Sequence, residues 1–329
     1  MQQATKAVYG QHSGSAARTS RQFKALPILP VRHPLLEAFG HTERGTLALK
    51  TPEGAVFTFE GRQSGPNATL ELKDWETLDS IVAEGENGFA HGYMDGRWDT
   101  DDLPALLTFS LANVDALERF FYGKPLYALW TRLKCALNLN TVKGSRKNIM
   151  AHYDLGNRFY ELWLDKSMTY SCALFGDHPE QSLEEAQQNK YRRILDRLSP
   201  TPSSRILDIG CGWGAFAEAA ARRKLRVHGV TISDEQKLYA EKRLRDGDLD
   251  RFAHVELKDY RKVEGTFDGI VSIGMFEHVG EKYWPEYFRT VKARLRAGGK
   301  AMIQSITIDD VLFERLHGKY GFVEQYIFP

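Results

Sequence analysis

The segment RILDIGCGWG at residues 205–214 constrains the fold of this chain more than any other feature. A short apolar run ends at Asp208, and Gly210, Gly212 and Gly214 follow at alternating positions. The apolar run predicts a buried parallel strand, and the segment AFAEAAARR after it predicts a helix. Glycines at that junction let the backbone turn sharply and expose main-chain N–H groups to a ligand. Together these features indicate the nucleotide-binding crevice of a doubly wound α/β sheet.

The spacing of these glycines separates two classes of ligand. Dinucleotide sites use G-x-G-x-x-G to hold a pyrophosphate at a helix N-terminus. This chain has D-x-G-x-G-x-G, which resembles motif I of the S-adenosylmethionine-dependent methyltransferases. Because S-adenosylmethionine has no phosphate, we expect its site to lack a phosphate cradle and to supply acceptors for an ammonium group and hydroxyls. A tight turn in some other α/β fold is the alternative.

Composition excludes several classes of protein. A length of 329 residues predicts about two domains, and 42% hydrophobic with 26% charged residues is typical of a globular protein. A net charge of +1 gives no bulk attraction to nucleic acid. Cys135, Cys172 and Cys211 lack the spacing of metal ligands, so we expect no metal site. Three widely separated cysteines are also consistent with a protein of the reducing cytoplasm. No apolar run approaches the length of a membrane span, and the N-terminus lacks the apolar region of a signal peptide.

Two segments are basic and free of acidic residues. Residues 1–36 predict a disordered tail, with an organelle transit peptide as the second interpretation. Residues 119–153 interleave basic side chains, such as Arg132 and Lys134, with aromatic and leucine side chains. Such a helix can lie on an anionic membrane surface, or it can pack its apolar face on a neighbouring element. The sequence does not decide between these two interpretations.

Four regions follow along the chain. After a basic tail of residues 1–40, three short strands and a helix predict a small α+β domain over 41–115. Residues 116–200 predict a helical cap facing lipid, in which Ser182 and Glu185 form a capping box. From residue 201 to 329, the segments RILDI, RVHGVTI, HVELKD, FDGIVSIGMF and GKAMIQSITI alternate with helical stretches. That rhythm predicts an α/β, Rossmann-like methyltransferase core with a parallel sheet.

Polar residues at two strand ends are candidates for ligand contact. The second strand of the core ends in Val230-Thr231-Ile232-Ser233, where many nucleotide-binding sheets carry an acid for the ribose. Ser233 with Gln236 also matches a capping box, which is the structural alternative. The third strand ends in Lys258-Asp259-Tyr260, and an acid beside an aromatic ring suits an adenine. A plain helix cap is the alternative for Asp259.

Seven longer segments carry a closer resemblance. They are YDLGNRFYELWLD (153–165), MTYSCALF (168–175), LDIGCGWG (207–214), GVTISDEQ (229–236), KDYR (258–261), SIGMFEHVG (272–280) and YIFP (326–329). With YMDGRWDTDDL in the N-terminal domain, they make residues 41–329 similar to the cyclopropane-fatty-acyl-phospholipid synthase family. The resemblance implies methyl or methylene transfer from S-adenosylmethionine to cis double bonds of acyl chains in membrane phospholipids. It also implies a cytoplasmic enzyme, a possible homodimer, on the inner face of an anionic membrane.

The resemblance assigns roles to individual residues. For S-adenosylmethionine it implies Tyr170, Ser171, Asp208, Gly210, Gly212, Gly214, Thr231, Ile232, Gln236, Asp259, Tyr260 and Ile273. Cys172 and Glu277 match two positions that hold a bicarbonate ion in the family, and Ile306 matches a backbone contact beside them. Gln304 stands where many members carry a histidine that is bonded to bicarbonate. Glutamine donates through its amide but cannot take a proton, so the identity of the product stays open.

The chemistry gives a reason for the ion. An alkene that attacks a sulfonium methyl leaves a carbocation, and ring closure requires a base that is shielded from water. Glu277 and the backbone around Cys172 would orient bicarbonate as that base. Nucleophilic catalysis by Cys172 is disfavoured because no covalent intermediate is required. The structural alternatives are a merely buried Cys172 and a structural Glu277, and for His278 we expect a neutral supporting role.

The family pattern continues past YIFP with a further helix, two strands and a tyrosine, so we expect this chain to lack them. A sheet without those strands exposes an unpaired edge. Two other functions therefore stay open. One is a small-molecule amine N-methyltransferase on the same scaffold, and the other is a catalytically inactive protein that binds the cofactor.

Overall fold

A computed structural model describes residues 32–121, 156–177, 180–316 and 321–327. The chain divides into two compact units, residues 1–121 and 122–329. Most of the predicted basic tail and of the basic aromatic segment, residues 1–31 and 122–155, lies outside the described residues.

The first unit is a four-stranded sheet covered by short helices. Its elements are α1 (Pro34–Phe39), β1 (Arg44–Lys50), β2 (Val56–Glu60), β3 (Gln63–Leu72), α2 (Glu76–Glu84), α3 (Glu86–Met94), β4 (Trp98–Asp99), α4 (Leu103–Ala112) and α5 (Val114–Phe121). The strand order is β2-β1-β3-β4, with β1 and β3 parallel and the other two pairs antiparallel. Trp98 of β4 is buried in the core of this unit, and its indole N–H donates to the Phe89 carbonyl at 2.7 Å. The predicted α+β character of this region is confirmed.

The core of this unit extends past both predicted bounds, 41 and 115. Leu35 and Leu36 of α1 are buried in it, and His33 caps this helix by accepting from the Leu35 N–H through Nδ1. Phe120 of α5 is buried in the same core. The disordered tail predicted for residues 1–36 is therefore wrong at its C-terminal end. At Phe120, the packing interpretation of the aromatic segment is the correct one.

The second unit contains a five-stranded parallel sheet. Its elements are α6 (Asn157–Glu161), α7 (Leu183–Leu198), β5 (Arg205–Ile209), α8 (Ala215–Arg222), β6 (Arg226–Thr231), α9 (Asp234–Asp246), β7 (Ala253–Leu257), β8 (Phe267–Ile273), α10 (Trp284–Arg294), β9 (Leu295–Gln304) and α11 (Asp310–Leu316), with 3₁₀ turns at Tyr260–Lys262, Phe276–His278 and Glu281–Tyr283 and a π-helical turn at Val323–Ile327. The order β7-β6-β5-β8-β9 places the first strand of the core in the middle. The chain therefore winds outward in both directions from β5, and this reversal opens a crevice at the carboxyl end of β5. The predicted Rossmann-like α/β fold and its five strands are confirmed.

Helix α7 begins at the predicted capping box. The Ser182 hydroxyl accepts from the Glu185 N–H, and the Glu185 carboxylate accepts from the Ser182 N–H. Its apolar stripe packs into one core cluster with Ile206 of β5 and Phe216 of α8. Helix α7, which falls in the predicted helical cap over 116–200, therefore packs on the sheet of the core.

Gly214 begins α8 in the left-handed region, with φ +81°. A Cβ at this position would lie 2.8 Å from the Cβ of Ala240 on α9, so glycine lets the two helices approach closely. This contact gives Gly214 a packing role, and the cofactor role expected for it stays a prediction.

We expect Gly214→Ala to lower the free energy of unfolding by about 2–4 kcal/mol, because it adds a steric overlap to an unfavourable φ. Gly54→Ala is a matched control, since Gly54 has φ +86° but no atom within 4 Å of its added Cβ. The control isolates the backbone cost. Urea denaturation of both variants measures the difference, and equal losses would contradict the packing role of Gly214.

Candidate active site

A cavity lies at the carboxyl ends of the central strands of the second unit. Its lining includes the residues predicted for S-adenosylmethionine other than Gly214: Tyr170, Ser171, Asp208, Gly210, Gly212, Thr231, Ile232, Gln236, Asp259, Tyr260 and Ile273. Trp213, Met275, His278 and Tyr283 also line it. Residues that are far apart in the sequence therefore share one cavity, because parallel strands bring their carboxyl ends to the same edge.

The turn after β5 forms the floor of this cavity. The N–H groups of Gly210 and Cys211 both donate to the carbonyl of Val230, at 2.9 and 3.0 Å, which ties the end of β5 to the end of β6. Gly212 has φ +53°, and nothing lies within 4 Å of a Cβ built on it. The turn thus leaves open space above its backbone, where a ligand can approach the main chain.

Asp208 is a buried acid at the edge of the cavity. Its side chain is 2% exposed, and Oδ2 has no hydrogen-bond partner among the described residues. Burial raises the pKa of this carboxyl group from 3.8 to about 7. An acceptor without a partner suits a ligand that carries N–H or O–H donors.

Thr231 and Gln236 connect the end of β6 to the start of α9. The Thr231 hydroxyl donates to Gln236 Oε1 at 2.8 Å, and both side chains are buried. Ser233 caps the helix by accepting from the Gln236 N–H at 3.3 Å, as the structural alternative required. In a capping box the Ser233 N–H would donate to the Gln236 side chain, but here it donates to Thr231 Oγ1 instead. The Gln236 side chain is thus held against Thr231 at the cavity wall.

Asp259 and Tyr260 form another part of the wall. Both oxygens of Asp259 accept from the Arg261 guanidinium, at 2.8 and 2.6 Å, and Oδ1 also accepts from the Arg261 N–H. The predicted alternative of a helix cap therefore holds for Asp259, although the residue also lines the cavity. Burial raises the pKa of Tyr260 to about 12, so its ring is a neutral surface at physiological pH.

A second cluster joins Cys172, Glu277, Gln304 and Ile306. Gln304 Nε2 donates to Cys172 Sγ at 2.8 Å, and the Ile306 N–H donates to Glu277 Oε1 at 3.3 Å. Ser305 Oγ donates to the other oxygen of Glu277 at 3.0 Å. Glu277 therefore connects the end of β9 to the turn after β8. Cys172 is exposed, which excludes the alternative that it is merely a buried cysteine.

The cavity and this cluster share two chain segments. Ser171 lines the cavity and Cys172 belongs to the cluster, while Ile273 and Gly274 line the cavity four and three residues before Glu277. A Cβ on Gly274 would lie 3.4 Å from the Ser171 Cβ and 4.0 Å from Glu277 Oε1, so the two segments meet at this glycine. The cluster is consequently next to the cavity.

Two polar residues of α7 hold the segment that carries Ser171 and Cys172. Gln187 Nε2 donates to the Ser171 carbonyl at 2.9 Å, and Lys190 Nζ donates to Ser171 Oγ and to the Cys172 carbonyl, at 2.6 and 3.0 Å. Neither residue is among those predicted from the sequence. Their positions in the stripe Ala186, Gln187, Lys190, Tyr191, Ile194, Leu195 and Leu198 would have identified them, since polar residues in a buried stripe need internal partners.

His278 follows Glu277 of the cluster in the sequence. It lines the cavity, and burial lowers its pKa although the adjacent Glu277 acts in the opposite direction. Its imidazole is therefore neutral near pH 7, in agreement with the neutral form predicted from the sequence.

The cavity fits S-adenosylmethionine better than a dinucleotide. Its two long cationic side chains are already paired, Lys258 with Glu256 at 2.7 Å and Arg261 with Asp259. A pyrophosphate would therefore find no free cation among the described lining residues. Asp208 and the aromatic walls instead suit an ammonium group and an adenine.

The parallel sheet and the cavity at its carboxyl edge define a Rossmann-like fold of the methyltransferase type. The model of the mycolic acid cyclopropane synthetase family matches residues 140–329, so the chain belongs to that family. It is 44% identical to a probable fatty acid methyltransferase of Mycobacterium tuberculosis over 61% of this chain and 46% of that protein. It is 36% identical to cyclopropane-fatty-acyl-phospholipid synthase of Escherichia coli over 73% of this chain and 61% of that protein.

Another relative and a solved structure agree with this family. A tuberculostearic acid methyltransferase of Mycobacterium tuberculosis is 34% identical, over 76% of this chain and 60% of that protein. A cyclopropane synthase structure from the same organism is 32% identical with a TM-score of 0.50, over 56% of this chain and 68% of that one. The chain thus spans about half to three fifths of the length of these curated relatives.

The raised pKa of Asp208 predicts a pH effect on stability. A carboxyl group whose pKa is higher in the folded state contributes stability below its unfolded pKa, and this contribution is lost as the pH rises through the folded value. Asp208→Asn cannot ionise. Between about pH 4 and about pH 7, the parent should therefore lose on the order of 3 kcal/mol of unfolding free energy relative to the variant.

Urea denaturation across this pH range measures the effect. Asp196→Asn is the control, because Asp196 is an exposed carboxylate paired with Arg223 on the surface. Its stability should follow that of the parent at each pH. A constant difference between Asp208→Asn and the parent would show that Asp208 is ionised throughout.

Proposed function

We propose that this protein transfers a methyl carbon from S-adenosylmethionine to the cis double bond of an unsaturated acyl chain in a membrane phospholipid. The product is a cyclopropane or methyl-branched fatty acid. One observation carries the proposal: the cavity with the motif I turn lies beside the cluster of Cys172, Glu277, Gln304 and Ile306. A methyl donor and a group that removes a proton would thereby reach the same carbon atom.

The names of the relatives support this choice of substrate. They include a cyclopropane-fatty-acyl-phospholipid synthase, a probable fatty acid methyltransferase and a tuberculostearic acid methyltransferase. When bound, S-adenosylmethionine supplies an electrophilic methyl group. The residues of the chain bind and orient it: Asp208 would accept from its ammonium group, Thr231 and Gln236 would hold the ribose side, and Asp259 and Tyr260 would face the adenine.

The cluster would hold bicarbonate, which supplies a base when it is bound. Gln304 Oε1 is buried and has no hydrogen-bond partner among the described residues, so it can accept from the hydroxyl of that ion. The amide of Gln304 cannot take up a proton, which limits this residue to binding. The Glu277 carboxylate lies beside the cavity, where a negative charge stabilises a carbocation.

The substrate implies contact with a lipid surface. The helices of the described residues include none that is long and apolar enough to cross a membrane. We propose peripheral attachment through the basic aromatic segment, of which residues 122–153 lie outside the described part of the chain. Arg132 and Lys134 would attract anionic headgroups there, and salt would weaken that attraction.

Transfer of label to acyl chains tests the proposed function. The 329-residue chain is incubated with methyl-labelled S-adenosylmethionine and vesicles of monounsaturated phosphatidylglycerol, and the acyl chains are then analysed by mass spectrometry. We expect label in acyl chains that have gained one carbon, and none with saturated vesicles. Label in an added amine, or in no product while the cofactor binds, would contradict the proposed function.

Glu277→Gln tests the role of the carboxylate. The variant keeps the shape of the side chain but removes the charge, so turnover should fall by roughly 10²–10³. Affinity for S-adenosylhomocysteine, measured by calorimetry, should change little because the cavity is intact. Glu281→Gln, four residues away and outside the cavity lining, is the control. Equal turnover in the two variants would exclude Glu277 from catalysis.

A further inference from the structure

Lys190 is a buried cation beside the candidate active site. Lys190 is 6% exposed, and its ammonium group donates to Ser171 Oγ and to the Cys172 carbonyl. Burial lowers the pKa of Lys190 from 10.5 to about 8. Lysine is rarely buried in this way without a charged partner.

The surroundings of Lys190 contain little negative charge. Among the described residues, no carboxylate oxygen lies within the 4.0 Å of an ion pair from its Nζ. Asp165 and Cys172, on the segment packed against α7, are the titratable groups that favour its charged form, and Tyr191 presents its ring at 5.2 Å. The positive charge of Lys190 is therefore only partly compensated within the chain.

The adjacent cluster has the opposite imbalance. Glu277 places a carboxylate there, and its described hydrogen bonds come from the neutral donors Ser305 and Ile306. A second anion beside this carboxylate would be repelled unless a cation acts on the same region. Lys190 reaches that region through Cys172, whose carbonyl it holds and whose thiol accepts from Gln304.

We infer that Lys190 is a positioning residue, which fixes the segment of Ser171 and Cys172 and supplies the positive charge that allows a carbonate-class anion to bind beside Glu277. The inference rests on the proposed function for the identity of the anion. Lys190 is not among the residues that line the cavity, and it acts through Ser171 and Cys172. Its two hydrogen bonds hold one residue of the cavity and one residue of the cluster, so a single side chain aligns the two sites.

Binding without turnover tests this role. Thermal unfolding of the 329-residue chain is followed while sodium bicarbonate replaces sodium chloride at constant ionic strength, since a ligand of the folded state raises the melting temperature. We expect Lys190→Met to need at least about tenfold more bicarbonate for the same shift. Affinity for S-adenosylhomocysteine, measured by calorimetry, should fall less than the affinity for bicarbonate, because Ser171 is only one of the residues that line the cavity.

Two further variants separate charge from structure. Lys190→Arg keeps the cation and should recover most of the bicarbonate effect. Lys242→Met removes an exposed lysine that is paired with Asp246 on α9, and it should behave as the parent. If Lys190→Met responds to bicarbonate like the parent, or if the parent shows no response, the inference is overturned.

A pH series on the parent and on Lys190→Arg covers the case in which Lys190→Met fails to fold. Below its pKa of about 8 Lys190 is charged, so the bicarbonate effect in the parent should decline between about pH 7 and about pH 9. Arginine stays charged over this range and should show a smaller decline. Identical pH profiles would overturn the inference, because Asp165, Cys172 and Tyr191 are present in both proteins.

The outcomes for Lys190 and for the proposed function are separable. A parent that binds S-adenosylhomocysteine but ignores bicarbonate refutes the role of Lys190 and leaves a cofactor-binding protein. A parent that responds to bicarbonate but does not bind S-adenosylhomocysteine refutes the proposed function. In that second case, loss of the bicarbonate response in Lys190→Met still supports the anion site.

Discussion

The turn after β5 is the constraint on which the candidate site depends. The carbonyl of Val230 accepts from the N–H groups of both Gly210 and Cys211, so the end of β5 cannot move relative to β6. That bond pair places Asp208 at the cavity edge and leaves the backbone of Gly212 uncovered. Because a positive φ is required at Gly212, most side chains would both strain this turn and fill the space above it.

The second constraint comes from outside the sheet. Helix α7 packs its apolar stripe on β5 and α8, and it turns Gln187 and Lys190 toward the segment of Ser171 and Cys172. A loop segment held by buried polar side chains is more rigid than one held by surface contacts, since each lost bond leaves a buried group unsatisfied. The helix thus transmits the position of the sheet to the two residues that connect the cavity and the cluster.

The fold and most of the residues that line the cavity could be predicted from the sequence. The contacts that support the cavity could not. Five apolar runs that alternate with helical stretches predict a parallel sheet, and the polar residues at the strand ends, Asp208, Thr231 and Asp259, do line one cavity. The burial of α1 depends on packing partners far along the chain, which no local pattern contains. The packing role of Gly214 likewise depended on Ala240 of another helix. Lys190 was missed because a lysine in a polar-rich helix is usually solvated, and only its register within the apolar stripe marks it as buried.

Glutamine at position 304 determines how the proposed chemistry must be distributed. Its Nε2 is directed to Cys172 Sγ, while Oε1 stays buried without a partner among the described residues. An amide in that position can hold an anion but has no site for a proton near neutral pH. His278 is neutral, and the Glu277 carboxylate is already bonded by Ser305 and Ile306. Proton removal would therefore rest with the bound ion, and the protein would contribute charge balance and orientation. In such a site, the separation between the negative charge of Glu277 and the positive charge of Lys190 matters more than the basicity of any single side chain.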